Sequence, residues 1–206
     1  MTGRWRDISI ALGPGAPEWP GDTPYSCRWT QQLARGDTVN LSAITASPHV
    51  GTHADAPLHV HDGWPPSDAL PVDVFAGPAV VCSLDRLDAL SDTRVERLLL
   101  RTGASTAGGA FPADWPALTV RQIEALLARG LRLLGVDAPS VDARHSTALE
   151  VHHALFAGGG YNLENLDLRD VRDGAYDLVA LPLKVIGLDA APVRAALRPD
   201  ASTPLR

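Results

Sequence analysis

The chain has 206 residues, of which 45% are apolar and 20% are charged, and its formal net charge is −6. This balance is typical of a globular protein and excludes a disordered chain. The length predicts a single domain over residues 1–206. The acidic charge argues against nucleic acid as the main partner, because binding to phosphates needs a basic surface.

The sequence also lacks the features of a membrane or disulfide-rich protein. Arg4, Arg6 and Asp7 interrupt the first residues, which therefore lack the apolar run of a signal peptide. No apolar stretch approaches the ~20 residues that a membrane helix needs. The two cysteines, Cys27 and Cys82, match no paired-cysteine motif. We therefore expect a cytoplasmic protein without a membrane partner.

Strands are predicted through the first half of the chain. Apolar patterning predicts strands over 6–12, 26–33, 38–46 and 77–84. Residues 13–24 are rich in proline and glycine, which predicts an irregular but ordered loop.

Two helices are predicted in the second half. Thr119 with Gln122, and Thr147 with Glu150, have the spacing of capping boxes, and glycines follow both apolar patterns. A strand over 131–137 separates the helices, a late strand covers 177–188, and a short tail helix is predicted near 193–197. Strands outnumber helices without regular alternation. This order predicts an α/β fold with a sheet or barrel-like β core and few helices.

The histidines are clustered to a degree that indicates a site. Four of the seven, at positions 49, 53, 59 and 61, fall within thirteen residues, and the others are at 145, 152 and 153. In the string SPHVGTHADAPLHVHDG, His49, His53 and Asp55 offer imidazole and carboxylate donors, which suit zinc, manganese or iron. Solvated loop histidines are the ordinary alternative, and we retain that interpretation for His61.

The residues themselves leave the second half of such a site open. His152 and His153 are adjacent on a predicted helix and point about 100° apart, so one of them would face the site. Apolar periodicity does not choose between them. Glu164 follows a glycine-rich break, and the sequence alone favours a solvent-exposed carboxylate at this position. Trp19 could stack on a flat substrate or fill the core.

The histidine string resembles the signature of the metal-dependent cyclase family. Within it the chain is most similar to the bacterial kynurenine formamidase (arylformamidase) subgroup. The segments WPGDTP (19–24), SPHVGTHADAPLH (47–59), GVDAPSVD (135–142), the histidine pair and LVALPLKVIGLDAAPVRAALR carry the resemblance, which spans nearly the whole chain.

The resemblance implies a swivelling β/β/α fold, a homodimer and two divalent metal ions per subunit, usually zinc. It places His49, His53, Asp55, His152 and Glu164 as metal ligands, since a histidine and a glutamate twelve residues apart complete the family's site. It makes His59 a proton shuttle and Trp19 a substrate contact. The implied reaction is hydrolysis of the small molecule N-formyl-L-kynurenine to L-kynurenine and formate in tryptophan degradation, by a metal-bound hydroxide.

Two other functions remain open from the sequence. An isatin-hydrolase-like enzyme would share the metal ligands and differ in its substrate pocket. A metal-binding module without catalysis belongs to another class, and His59 argues against it, because a structural metal site does not need a spare proton donor.

Overall fold

The computed structural model describes residues 3–91 and 93–200. The elements of this part of the chain are β1 (Arg6–Asp7), β2 (Ser26–Gln31), β3 (Leu41–Thr45), β4 (His53–Asp55), β5 (Ala76–Ser83), β6 (Arg97–Arg101), α1 (Val120–Ala128), β7 (Leu133–Val136), α2 (Glu150–Ala157), β8 (Tyr161–Leu163), β9 (Gly174–Val179), β10 (Ala190–Pro192) and β11 (Ala196–Pro199), with short 3₁₀ turns between them.

A seven-stranded mixed sheet forms the centre of the fold. Its order is β1-β11-β9-β5-β6-β7-β8; the pairs from β5 to β8 are parallel and the others antiparallel. Its two edges approach each other, because Ser9 beyond β1 bridges to Leu166 beyond β8, and the Asp167 amide donates to the Ile8 carbonyl at 2.8 Å. The sheet is therefore curled into the predicted barrel-like core.

Two small antiparallel pairs flank this sheet. Strand β4 pairs with β10, and an isolated bridge joins His53 of β4 to Glu164 immediately after β8. Strands β2 and β3 form a hairpin whose side chains are almost all exposed. The first pair holds site residues against the main sheet.

Apolar side chains fill both faces of the curled sheet. In β6, Leu99 packs with Phe75 and Leu133 inside the curl, whereas Leu98 and Leu100 face the opposite side. That outer face is covered by the two helices, through Ile123 and Leu126 of α1 and Val151 and Leu155 of α2. An α/β domain with few helices, as predicted, results from this arrangement.

The capping prediction is confirmed for α1 and wrong for α2. At α1 the Gln122 amide donates to the Thr119 hydroxyl, and the Gln122 side chain accepts from the Thr119 amide. Helix α2 begins at Glu150, and its N-cap residue is Leu149, whose φ is 47°. The Leu149 side chain is apolar and cannot cap the helix. Its first amides instead donate to Asp142, eight residues before the helix.

Three predicted segments also need correction. The predicted tail helix at 193–197 is wrong: it falls on the start of β11, because pairing with β9 is available there. The late strand over 177–188 ends at Val179, ahead of Pro182, which cannot donate to a sheet. The first strand is limited to Arg6–Asp7 with a bridge at Ser9. In the described residues, no helix has the length and apolar character needed to cross a membrane.

Candidate metal centre and cavity

The histidine string lies on a sharp bend followed by strand β4. Gly51 has a φ of 72°, and an added Cβ there would lie 2.6 Å from Cδ2 of Leu12, so the bend requires glycine. The Thr52 hydroxyl donates to the Asn165 carbonyl at 2.5 Å and accepts from the Ile10 amide at 2.8 Å. These contacts fix the backbone on the N-terminal side of His53.

The second group of site residues comes from helix α2 and from the position directly after strand β8. Asp142 accepts hydrogen bonds from the amides of Val151 and His152, at 2.9 and 3.1 Å, and so anchors the first turn of α2. Glu164 exchanges two backbone hydrogen bonds with His53, at 3.0 and 3.3 Å. The backbone therefore brings the two groups together before any side chain is considered.

Asp55 lies between the histidines and uses both carboxylate oxygens. Its Oδ1 is 3.0 Å from Nδ1 of His49 and 3.3 Å from Nε2 of His53. Its Oδ2 is 3.1 Å from Nε2 of His152. The carboxylate can thus serve two neighbouring positions at once.

Glu164 contacts two of the same histidines from the other side. Its Oε1 is 3.2 Å from Nε2 of His152, and its Oε2 is 3.5 Å from Nε2 of His53. Both carboxylates and both of these histidines are nearly inaccessible to solvent. A buried group of this kind needs compensation by protons or by a cation.

The outward nitrogens of the three histidines each meet an acceptor. His49 Nε2 is 2.9 Å from the Asp189 carboxylate, and His53 Nδ1 is 2.9 Å from the Gly51 carbonyl. His152 Nδ1 is 2.6 Å from the Asp142 carboxylate. A histidine that donates outward presents a lone pair inward, which is the arrangement of metal-ligating histidines.

Unpartnered atoms test whether a metal ion fits. His53 Nε2 and Asp55 Oδ1 are buried, and neither makes a hydrogen bond of normal geometry, although ionisable groups lie 3.0–3.5 Å from them. The donor atoms of His53, Asp55 and Glu164 lie within 4.8 Å of one another, as do those of His49, Asp55 and His59. Nitrogen and carboxylate donors of this spacing suit a divalent ion, so the residues fit one.

The charge of the carboxylates controls protonation when no ion is bound. Burial by itself lowers the pKa of His53, but the charge of Asp55 and hydrogen bonds to Asp55 and Glu164 raise it to about 10. Burial is likewise outweighed at His49, where hydrogen bonds to Asp189 and Asp55 raise the pKa to about 9. The centre therefore has a strong affinity for positive charge.

A cavity of about 310 Å³ opens onto this centre. Its lining combines histidines and Glu164 with aromatic and other apolar side chains. The lining residues are Pro17, Trp19, Asp22, His49, His53, His59, Phe111, Pro139, Ser140, Leu149, His152, Glu164 and Asn165. The Trp19 ring meets Phe111 and Trp115 edge to face, with centroids 5.5 and 5.7 Å apart. A flat, apolar molecule could therefore lie against Trp19 and reach the centre.

His59 lies in this cavity wall beside the first group. Its ring centroid is 4.4 Å from that of His49 and 5.7 Å from that of His152. Its Nδ1 is 3.4 Å from the Asp189 carboxylate, and its ring lines the cavity. His59 is partly exposed, unlike His53 and His152.

The structure places every sequence-predicted site residue around the cavity or its buried floor. It also separates the neighbouring histidines that the sequence left ambiguous. His152 is buried against Asp55, whereas His153 lies at the edge of Trp64 with ring centroids 5.9 Å apart. His61 stacks on the same Trp64 at 4.7 Å and does not line the cavity.

Sequence reasoning missed Asp142, Asn162 and Asp189 as contacts of the centre. Asp142 and Asp189 lie in segments that carry the family resemblance, but each is an ordinary loop acid by local pattern. Asp189 is 140 residues from its partner His49. No local spacing could have revealed that contact, because the fold alone creates it.

A family model described as "Putative cyclase" matches residues 6–143. The chain belongs to this cyclase family. The matched range includes the histidine string. Other parts of the curled sheet and of the His/Asp/Glu centre lie beyond it, in the C-terminal half of this cyclase-family chain.

Individual relatives agree with that assignment. The chain is 42% identical to a protein of Bordetella avium named kynurenine formamidase, over 93% of this chain and 96% of the relative. A solved structure described as a potential metal-dependent hydrolase with cyclase activity has a TM-score of 0.81 and 27% identity, and the match covers 96% of this chain and 98% of that one. Isatin hydrolase A from Ralstonia solanacearum has a TM-score of 0.77 at 21% identity, over 96% and 92% of the two chains, which shows a shared fold.

Proposed function

We propose that this chain is a metal-dependent hydrolase that converts N-formyl-L-kynurenine to L-kynurenine and formate in tryptophan degradation. The observation that carries the proposal is the 42% identity to a kynurenine formamidase along almost the whole length of both chains. The buried His/Asp/Glu centre beneath an apolar cavity supports it, because this substrate has a formyl carbonyl open to attack and, attached through its nitrogen, a flat aryl ring.

The proposed cofactor is a pair of divalent ions, zinc in our hypothesis. His49, His53 and Asp55 would hold one, and Asp55, His152 and Glu164 the other, since the two oxygens of Asp55 face these two sets of histidines. Bound ions of this kind supply Lewis-acid chemistry, which lowers the pKa of water and polarises a carbonyl.

Asp142, Asp189 and the Gly51 carbonyl orient the three histidines for this role. Each accepts the outward N–H of one imidazole, which fixes the ring and directs the inward lone pair toward the carboxylates. Hydrogen bonds from His49 and His59 hold the pKa of Asp189 well below its usual range, so Asp189 stays an acceptor at neutral pH.

His59 is the proposed proton shuttle. Cleavage of the formyl C–N bond leaves an electron pair on the aryl nitrogen, which must gain a proton as the amine departs. His59 can take up the proton that the attacking water releases and pass it to this nitrogen, because its Nδ1 is held toward Asp189 and its ring lines the cavity. Trp19 would hold the aryl ring by its flat face.

The remaining features of the proposal concern assembly and location. We propose one cyclase-like domain over residues 1–206, a homodimer and a cytoplasmic location. The exposed apolar side chains of the β2–β3 hairpin, among them Trp29, Leu41 and Ile44, are consistent with a subunit interface. Light scattering coupled to size-exclusion chromatography measures the oligomeric state.

The decisive experiment is hydrolysis of N-formyl-L-kynurenine by metal-stripped protein, before and after zinc is restored, with the absorbance of kynurenine as readout. We expect no turnover in the stripped protein and recovery with zinc. Zinc-loaded protein that fails on this substrate but opens isatin would instead support an isatin-hydrolase-like enzyme. Zinc-loaded protein inactive on both would support a non-catalytic module.

A further inference from the structure

Asn162 is a buried amide in direct contact with the metal centre. It lies in strand β8, and its side chain is completely inaccessible to solvent. Its Nδ2 donates to Asp55 Oδ2 at 2.6 Å and to Glu164 Oε1 at 3.1 Å, and it lies 3.3 Å from His152 Nε2. Its Oδ1 is buried without any hydrogen-bond partner.

The terminal atom of Asn162 has the spacing of a ligand. His152 Nε2 is 3.1 Å from Asp55 Oδ2 and 3.2 Å from Glu164 Oε1. Atoms that bind one small ion at ~2 Å lie ~3 Å from one another. The Asn162 amide nitrogen lies 2.6 Å from Asp55 Oδ2, 3.1 Å from Glu164 Oε1 and 3.3 Å from His152 Nε2. These are about the distances expected of a fourth ligand.

The orientation of the amide depends on what lies between these donors. An NH₂ group suits a centre without a cation, because its protons point at two carboxylates. The same protons would repel a cation. Rotation of the amide by 180° exchanges Nδ2 for Oδ1 with almost no change in shape, and a carbonyl oxygen is an acceptor that binds divalent ions.

We propose that Asn162 is a fourth protein ligand, through Oδ1, for the ion held by Asp55, His152 and Glu164. This inference rests on the two-ion centre proposed above. It makes the two positions unequal: this one is closed by four protein donors, whereas the position of His49, His53 and Asp55 has three and keeps room for the reacting water.

Metal stoichiometry and affinity test the proposal without using the substrate. Asn162→Leu keeps a branched side chain of similar size and removes both polar atoms, while Asn162→Asp keeps an oxygen donor and adds charge. Asn165→Asp is the matched control, because Asn165 is also buried and lines the cavity, but its Oδ1 accepts from Thr106 at 2.9 Å. Metal-free samples are equilibrated with chelator-buffered zinc and measured by elemental analysis.

We expect two equivalents in the unchanged protein. Asn162→Leu should lower the affinity for one zinc ion by more than ~10-fold and leave the affinity for the other unaltered. This loss is at least as large as that caused by removing a residue that only orients a ligand. Asn162→Asp should retain both, with a gain in affinity larger than that of Asn165→Asp. Cobalt absorption should lose the contribution of one ion in Asn162→Leu, and circular dichroism of the metal-free variants checks that they fold.

Three results would overturn the inference. Unaltered affinity for both ions in Asn162→Leu would show that the amide is a bystander. A single equivalent in the unchanged protein that becomes two in Asn162→Leu would show that the amide takes the place of the second ion. Equal gains in zinc affinity from Asn165→Asp and Asn162→Asp would show that the added charge alone causes the effect. Absent hydrolysis in protein that holds two ions would instead contradict the proposed function and leave this inference standing.

Discussion

The two halves of the candidate metal centre are built in different ways. His49, His53 and Asp55 lie within seven residues, and one glycine bend and the short strand β4 present all three. His152 and Glu164 come from a helix and the end of a strand, and they reach the centre through the Asp142 contacts and the His53–Glu164 bridge. A local motif therefore specifies the first half, and tertiary structure specifies the second.

The two halves therefore have different requirements for their formation. The first half depends on backbone conformation that its own residues select. The second depends on carboxylates distant in the chain, so it should respond more strongly to substitutions outside the ligand set. Substitutions in each half, and at the residue that joins them, test this comparison.

Asp55→Ala should have the largest effect, because Asp55 contacts histidines of both halves. We expect loss of both ions and a fall in kcat/KM well beyond the ~10–100-fold of an outer-shell substitution. Elemental analysis and steady-state kinetics measure it, with Asp55→Asn as a second variant of nearly the same shape. Retention of both ions in either variant would contradict the bridging role.

His59→Ala should lower kcat by ~10²- to 10⁴-fold, the usual range for a general acid or base, while zinc content stays at the wild-type level. His61→Ala is the matched control, since His61 lies two residues from His59, stacks on Trp64 and does not line the cavity. Loss of zinc in His59→Ala would make His59 a ligand, which its proximity to Asp55 and His49 would permit. Near-normal turnover would remove it from proton transfer.

Asp142→Asn should lower the affinity for the ion held by His152 and Glu164 by up to ~100-fold. The reason is that Asp142 both orients His152 and anchors the helix that carries it. Competition with a chelator measures affinity at each position. Equal weakening of both positions would argue that Asp142 acts on the whole centre and that the two halves are not independent.

Asp189→Asn should have a smaller effect on the first half, about 10-fold in zinc affinity, because the Asp189 side chain is 43% exposed and water can replace it. We also expect a fall in kcat with little change in KM, since Asp189 holds Nδ1 of His59. Asp68→Asn is the matched control: Asp68 accepts from the Gly187 amide in the same loop at 2.8 Å and has no contact with the histidines. An unaltered kcat would show that Asp189 serves His49 alone.

The smallest expected effect concerns two threonines with the same sequence pattern. Thr119→Ala should lower the free energy of unfolding by ~1 kcal/mol, because Thr119 caps α1. Thr147→Ala should change it much less, since Asp142 takes the capping role at α2. Denaturant unfolding of both variants measures the difference. Equal losses would contradict a cap at α2 supplied from outside the helix.

The fold class and the first half of the centre could be predicted because their determinants are local. Apolar runs predicted β2, β3, β5 and β7, and the capping pattern predicted α1. The tail segment was misjudged as a helix because its pattern does not reveal that β9 lies beside it. Thr147 and Glu150 likewise have the spacing of a cap, but a buried carboxylate elsewhere in the chain satisfies the helix instead.

By itself, the sequence determined an α/β chain with a histidine string on a glycine bend, because these features depend on residues within a few positions of one another. Its resemblance to a family indicated His152 and Glu164. Tertiary structure decided that His152 faces Asp55 while His153 faces Trp64, and that Asp142, Asn162 and Asp189 contact the centre. The physical reason is that hydrogen bonds between residues up to 140 positions apart form only after the sheet has curled and the helices have packed.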